Sequence, residues 1–349
     1  MYKDNIRSQR KDAHVEHVLK QSTGLGNDFN RVHLIHQSIP SYDLAEVDLS
    51  ANFGRFHWQT PIYINAMTGG SEWTKSINEN LAHVAKKTGL PMALGSMHAA
   101  IKDSSLAPSF TSVRDINPDG FLMANVGADV PPSGAQQSIQ LINADALQIH
   151  INAPQELIMP EGERTFKSWL SNIESIIQIS EVPVIVKEVG FGMSKETIQK
   201  LYEIGVEYID ISGKGGTNFA SIENQRRESQ EMDYMSEWGQ STVISLLESR
   251  PYQNKISVLA SGGVVTPLDA VKCIALGAQA VGMSKTILES VINNGVDITV
   301  QYVEDFIYQM KKVSLLIDAK NISEIRQSAK YLDQTLTHWL TERAGKSYE

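Results

Sequence analysis

From Pro61 onward, short β-branched or apolar runs alternate with stretches in which apolar residues recur at helical spacing. Strands each followed by an amphipathic helix predict a parallel sheet covered by helices. The candidate strands are PIYINAM (61–67), PMALGS (91–96), FLMANVGA (121–128), ALQIHINA (146–153), PVIVKEVG (183–190), YIDISG (208–213), ISVLASGG (256–263) and AVGMS (280–284). Between them lie helical candidates over 74–89, 165–180, 194–205, 241–250 and 266–277, several closed by a glycine at a C-cap position: Gly89, Gly205 and Gly277. Eight strand-helix units predict an α/β protein built as one (β/α)8 TIM barrel. The barrel core spans about 61–290, close to the ~250 residues typical of that fold. An open doubly wound sheet is the alternative, but no GxGxxG turn follows the first strand.

Residues before 61 read as a polar extension with an N-terminal helix pattern, and those after 285 as further helices with no strand signal. The whole chain, 1–349, is therefore expected to be a single barrel domain with helical extensions at both ends. The segment 214–240 is a long polar connection after the sixth strand, expected to be a functional lid or a disordered loop over the catalytic face.

A net charge of -9 argues against nucleic-acid and anionic-membrane partners, both of which need clustered excess Lys and Arg. Any anionic ligand must meet locally concentrated positive charge. The single cysteine, Cys273, excludes an intrachain disulfide and a Cys-based metal site, and suits a reducing cytoplasm. The segment MYKDNIRSQRKDAHVEHV holds no apolar signal core. No apolar run reaches the ~20 residues that span a bilayer, so neither secretion nor membrane insertion is expected.

Barrel active sites lie at the C-terminal ends of the strands, so polar residues there carry the chemistry. Strand seven ends in Ser261-Gly262-Gly263 and strand eight in Gly282-Met283-Ser284. Either could be turn punctuation; the two together, in the seventh and eighth units, point to a phosphate held on backbone N–H groups. Ser212-Gly213-Lys214-Gly215-Gly216-Thr217-Asn218 is a further small-residue loop after strand six. Lys187 ends an otherwise apolar strand. It is either ion-paired with Glu188 or another carboxylate, or a fixed cation facing an electron-rich ligand. After strand four come His150, Asn152, Gln155 and Glu156; a lone carboxylate such as Glu156 is how Mg2+ meets a phosphorylated substrate. Arg10, Lys11 and His14 form a basic cluster which, taken alone, reads as a solvated face.

Together these residues resemble the type 2 isopentenyl diphosphate isomerases, flavin-dependent barrel enzymes of isoprenoid biosynthesis. The resemblance rests on RKDAH (10–14), NAMTGG (65–70), GSMHAA (95–100), NVGAD (125–129), HINAPQE (150–156), KEVGFGMS (187–194), SGKGGTNF (212–219), WGQST (238–242), SGGVVTPLDA (261–270) and GMS (282–284), in that order. It implies FMN held by Met67, Thr68, Gly69, Ser96, Asn125, Lys187, Ser212 and Thr217, with backbone at Gly262, Gly263, Gly282 and Met283. It implies a substrate diphosphate gripped by Arg10, Lys11, Ser96, Met97 and His98, with Gln155 on the substrate and Mg2+ on Glu156. Lys187, Gln155 and His150 are the candidate catalytic side chains, the acid and base being reduced FMN. NADPH would reduce the flavin, and a homo-oligomer, tetramer or octamer, would form in the cytoplasm. Two positions depart from the common family pattern: His98 and Val265 stand where many members have Arg. Val265 leaves a flavin phosphate relying more on backbone N–H groups.

Three other readings compete. A hydroxy-acid oxidase calls for His and Arg in one late loop, which the SGG loop does not supply. A nucleotide dehydrogenase calls for a strand-end Cys, whereas Cys273 lies in an apolar helical pattern. A non-catalytic binding module explains the phosphate loops but not Lys187, Gln155 and Glu156 on one face.

Overall fold

A computed structural model of the protein describes residues 12–21 and 26–345. Eight parallel strands, β1 (Ile62–Ile64), β2 (Met92–Ala93), β3 (Leu122–Gly127), β4 (Ala146–His150), β5 (Val184–Lys187), β6 (Tyr208–Asp210), β7 (Ser257–Ser261) and β8 (Ala280–Met283), pair in sequence and close as β8 meets β1. The principal covering helices are α1 (Glu72–Thr88), α2 (Pro108–Ile116), α3 (Pro132–Leu141), α4 (Trp169–Ile179), α5 (Lys195–Glu203), α6 (Thr242–Ser249), α7 (Pro267–Ala275) and α8 (Lys285–Leu316). The closed (β/α)8 barrel expected from the alternation is therefore present.

Local chemistry sets the helix ends. The Ser71 side chain accepts from the N–H of Thr74 to start α1, and Gly89, at φ 71°, ends it in a left-handed conformation that a side chain disfavours. Gly295, at φ 79° and ψ -178°, interrupts α8 with a backbone conformation that favours glycine. No helix among the described residues is long and apolar enough to cross a membrane.

The barrel interior is layered by the two-residue repeat of a strand. The lower layer is Tyr63, Ala93, Met123, Ala146, Ile185, Tyr208, Leu259 and Ala280, one residue per strand. Two residues further along each strand stand Asn65, Gly95, Asn125, Gln148, Lys187, Asp210, Ser261 and Gly282, so the next layer is polar. The side chains facing the other way, such as Ile62, Ile64, Val186 and Ile209, form the main core beneath the helices.

The extensions differ from expectation in three places. Residues Ala51–Phe53 and Phe56–Trp58 form an antiparallel hairpin whose Phe53, Phe56 and Trp58 pack against the lower layer and stopper that end of the barrel. Val32–Leu34 pairs antiparallel with Lys330–Leu332, so a strand does follow residue 285. The 214–240 connection is folded: it holds a helix (Phe219–Gln225), a 3-10 turn (Asp233–Met235) and a bridge from Lys214 to Ser241.

Candidate active site at the C-terminal mouth

A cavity of about 600 Å³ opens at the C-terminal ends of the strands. Its floor is the polar layer, joined by hydrogen bonds across the barrel. Asp210, fully buried, accepts from Tyr63 Oη (2.8 Å), Asn65 Nδ2 (2.8 Å), Ser261 Oγ (2.8 Å) and the Ser212 N–H (3.1 Å). Gln148 donates to Asn65 Oδ1 (3.2 Å), Asn125 donates to Gln148 Oε1 (3.1 Å), and His150 Nδ1 lies 2.7 Å from Asn125 Oδ1. Buried polar groups are costly unless partnered, which is why these residues occur as one connected set.

Lys187 lines the cavity with its chain buried. Its ammonium donates to the backbone carbonyl of Glu188 at 2.8 Å. Burial lowers its pKa, while the charges of Asp210 and Glu188 oppose that shift. Lys187 thus lies within range of two carboxylate charges and lines the cavity. Glu188 points the other way, and its Oε2 accepts from the N–H groups of Val189 (2.6 Å), Gly190 (2.8 Å), Phe191 (2.6 Å) and Gly192 (3.2 Å). Burial nevertheless pushes this carboxyl up to about 7.

Opposite Lys187, the ends of β7 and β8 form a backbone cradle. Gly262 and Gly263 have φ of 96° and 69°, and a Cβ on Gly262 would stand 2.0 Å from the Gly213 carbonyl oxygen. A Cβ on Gly282 would stand 2.6 Å from Tyr63 Cζ. Only glycine permits this approach of three loops. Ser284 precedes α8 without a side-chain cap, and Ser284, Lys285 and Thr286 all line the cavity. Glycine backbone beside an uncapped helix N-terminus suits a phosphate group, so these residues fit the phosphate end of FMN, and Lys187 fits an electron-rich ring. Val265 also lines this wall and brings no charge.

Of the remaining flavin candidates, Met67, Thr68, Ser96, Ser212, Thr217 and Met283 also line the cavity. Gly69 does not: a Cβ there would meet the Phe110 ring at 2.2 Å, so this glycine serves the packing of α2. Met97 is also placed elsewhere. Its side chain is fully buried in the main core and its N–H is used by the Asn125 carbonyl at 2.8 Å, because the chain turns outward there to begin the helix His98–Lys102. His98 itself lines the cavity, its Nδ1 3.7 Å from Asp129 Oδ2. Arg10 and Lys11 lie outside the described residues.

The opposite wall carries Gln155 and Glu156 on the short helix Ala153–Ile158. Glu156 Oε1 accepts from Asn152 Nδ2 at 2.9 Å, and Oε2 from the Glu163 N–H at 2.8 Å. Gln155 donates to Glu223 Oε1 at 3.0 Å, and His14 Nε2 lies 3.1 Å from that same oxygen. Arg226 donates to Glu223 Oε2 at 2.5 Å. Burial would raise the Glu223 carboxyl, but hydrogen bonds and charge from His14, with Gln155 and Arg226, bring it to about 2. This carboxylate ties a helix over 12–20 across the cavity mouth. His14, read as part of a solvated basic face, is instead an anchor.

Sequence reasoning missed Glu223, Asp210, Asn65, Gln148 and Tyr63. The signal available for the last four was the period of two: each belongs to the inward-facing set of its strand. Cys273, by contrast, is buried and its thiol is pushed well up by burial, as the inert reading expected.

Residues 131–331 match the family profile of FMN-dependent dehydrogenases. A flavocytochrome b2 variant with benzoylformate superposes with a TM-score of 0.68 at 17% identity, covering 100% of this chain and 88% of that one. A mandelate oxidase variant gives 0.61 at 13%, covering 95% and 100%. At such identities the likeness is one of fold. Sequence relatives are far nearer. An isopentenyl-diphosphate delta-isomerase of Staphylococcus epidermidis is 54% identical over 340 residues, 97% of each chain. One of Staphylococcus haemolyticus is 55% identical over the same length and shares. With that identity spread over nearly the full length of both sequences, the chain belongs to the type 2, FMN-dependent isopentenyl-diphosphate delta-isomerase family.

Proposed function

We propose that this chain interconverts isopentenyl and dimethylallyl diphosphate by a 1,3-allylic proton shift with no net redox change, as a step of isoprenoid biosynthesis. The observation that carries the reading is the 54% identity over 97% of both chains to relatives of that name. The glycine cradle facing a buried lysine supports it independently. Bound and reduced, FMN supplies the proton donor and acceptor at the reacting carbons.

The protein's own residues bind, orient and exclude water. Gly262, Gly263, Gly282 and the α8 N-terminus hold the flavin phosphate, while Thr68, Ser96, Asn125, Ser212 and Thr217 line the walls around the ring system. Lys187 keeps a positive charge beside the electron-rich end of the flavin, opposing its loss of charge on burial. On the substrate side, Arg10, Lys11, Ser96 and His98 take the diphosphate, and Glu156 takes Mg2+ as a lone carboxylate that leaves room for phosphate oxygens. Gln155 is the side chain proposed to orient the substrate, with His150 a further candidate catalytic group in the cavity wall. His98 donates fewer hydrogen bonds than Arg, so the diphosphate is expected to be held less tightly than by an Arg at that position. NADPH is the proposed reductant of the flavin, the cytoplasm the proposed location, and a tetramer or octamer of this single-domain chain the proposed assembly.

The test is incubation with isopentenyl diphosphate, FMN and Mg2+ in D2O, with and without NADPH under anaerobic conditions, followed by NMR. Dimethylallyl diphosphate carrying deuterium, formed only with reduced flavin and without stoichiometric NADPH consumption, is the expected result. Bound, reducible flavin with no product would overturn the isomerase reading and leave an FMN barrel of other chemistry.

A further inference from the structure

The hydrogen bonds across the barrel floor have a direction, and two fixed ends set it. At one end, the Ala66 N–H, which can only donate, reaches Asn65 Oδ1 at 2.8 Å. At the same residue, Nδ2 reaches the Asp210 carboxylate, which already accepts from the Ser212 N–H. Asn65 therefore has its oxygen on the Gln148 side and its NH2 on the Asp210 side. Gln148 must then donate through Nε2, which turns its own oxygen toward Asn125. Asn125 in turn must donate through Nδ2, which leaves Oδ1 as the atom 2.7 Å from His150 Nδ1. An amide oxygen only accepts, so His150 Nδ1 carries a proton.

We infer that the Asp210–Asn65–Gln148–Asn125 relay fixes His150 as the Nδ1–H tautomer, so that Nε2 is the accepting nitrogen of the neutral ring at the cavity wall. Gly127 makes the room for it: a Cβ at that position would stand 3.3 Å from Nε2. The ligand atom that meets His150 there is an N–H or O–H donor. A phosphate oxygen, an acceptor at neutral pH, meets it only after the ring takes a second proton. Asp210, Asn65 and Gln148 are thus positioning residues: they act on a ring nitrogen they do not touch. The inference concerns the resting protein and does not depend on which reaction the barrel runs.

The experiment is a two-bond 1H–15N correlation spectrum of flavin-loaded protein labelled at histidine nitrogen. The His150 signals are identified by their loss in His150→Asn. Nε2 couples to both carbon-bound ring protons, so the pattern tells which nitrogen lacks the proton. The expected result is an unprotonated Nε2 in the native protein. Gln148→Met, similar in length but without the amide, releases Asn125 to rotate, and the Nε2–H form then appears. An Nε2–H ring in the native protein, or a tautomer unchanged by Gln148→Met, would overturn the inference. Asn65→Ser cuts the relay one link nearer Asp210 and must produce the same change, so a Gln148→Met chain that fails to fold does not shelter the idea.

Discussion

Glu188 is a carboxyl group whose surroundings disagree, and replacing it measures which side wins. Four backbone N–H groups converge on Oε2 and, with the charge of Lys187, favour the charged form, while burial favours the neutral one and brings its pKa from an ordinary 4.5 to about 7. A carboxyl whose folded pKa is raised contributes stability that is complete below its unfolded value and lost as pH rises through the folded one. The window is therefore pH 4.5 to about 7. At roughly 1.4 kcal/mol per pKa unit, that interval is worth about 3 kcal/mol. Glu188→Gln keeps an acceptor oxygen for the four N–H groups and carries no proton to lose, so its stability lacks this slope. Urea unfolding of both proteins at fixed flavin concentration, in half-unit steps from pH 4.5 to 7.5, should show the native protein losing about 3 kcal/mol relative to the variant. A flat difference would mean that the carboxyl titrates normally. A difference of opposite sign would mean that the N–H nest outweighs burial.

Three further outcomes follow from the site. Gly262→Ala places a Cβ 2.0 Å from the Gly213 carbonyl oxygen at a φ of 96°; with about 1–3 kcal/mol from forced displacement alone, flavin affinity measured by fluorescence quenching should fall at least about tenfold. Glu223→Ala removes the carboxylate shared by His14, Gln155 and Arg226. The loss of stability should be on the order of 3 kcal/mol, and trypsin should cleave the 12–20 helix faster while flavin binding is retained. Glu156→Gln removes the charged ligand of the proposed Mg2+ site. The Mg2+ concentration giving half-maximal turnover should rise about tenfold or more with flavin affinity unchanged; an unaltered Mg2+ dependence would place the ion elsewhere.

The barrel was legible because the strands are compact apolar runs and several helices carry their own start or stop residue, so local signals suffice. The glycine cradle was legible for the same reason, from glycines at the ends of the seventh and eighth strands. What escaped the sequence is what depends on distant partners. The pairing of Val32–Leu34 with Lys330–Leu332 joins three-residue strands from opposite ends of the chain, and neither has a recognisable pattern alone. Asp210 within YIDISG looks like one acid in an apolar run; its role exists only once Tyr63 and Asn65 arrive from β1 and Ser261 from β7. Met97 illustrates the reverse error: the motif placed it among site residues, but a one-residue change of direction puts its side chain in the core.

The lower layer of inward side chains and, beneath it, Phe53, Phe56 and Trp58 of the hairpin close one end of the barrel, which leaves the site a well rather than a tube. A well has one entrance, so the two ligands cannot be exchanged independently. Whichever seats deeper must arrive first and depart last, and the shallower one, while present, bars its exit. Residence of the deeper ligand then becomes a property of the occupancy above it.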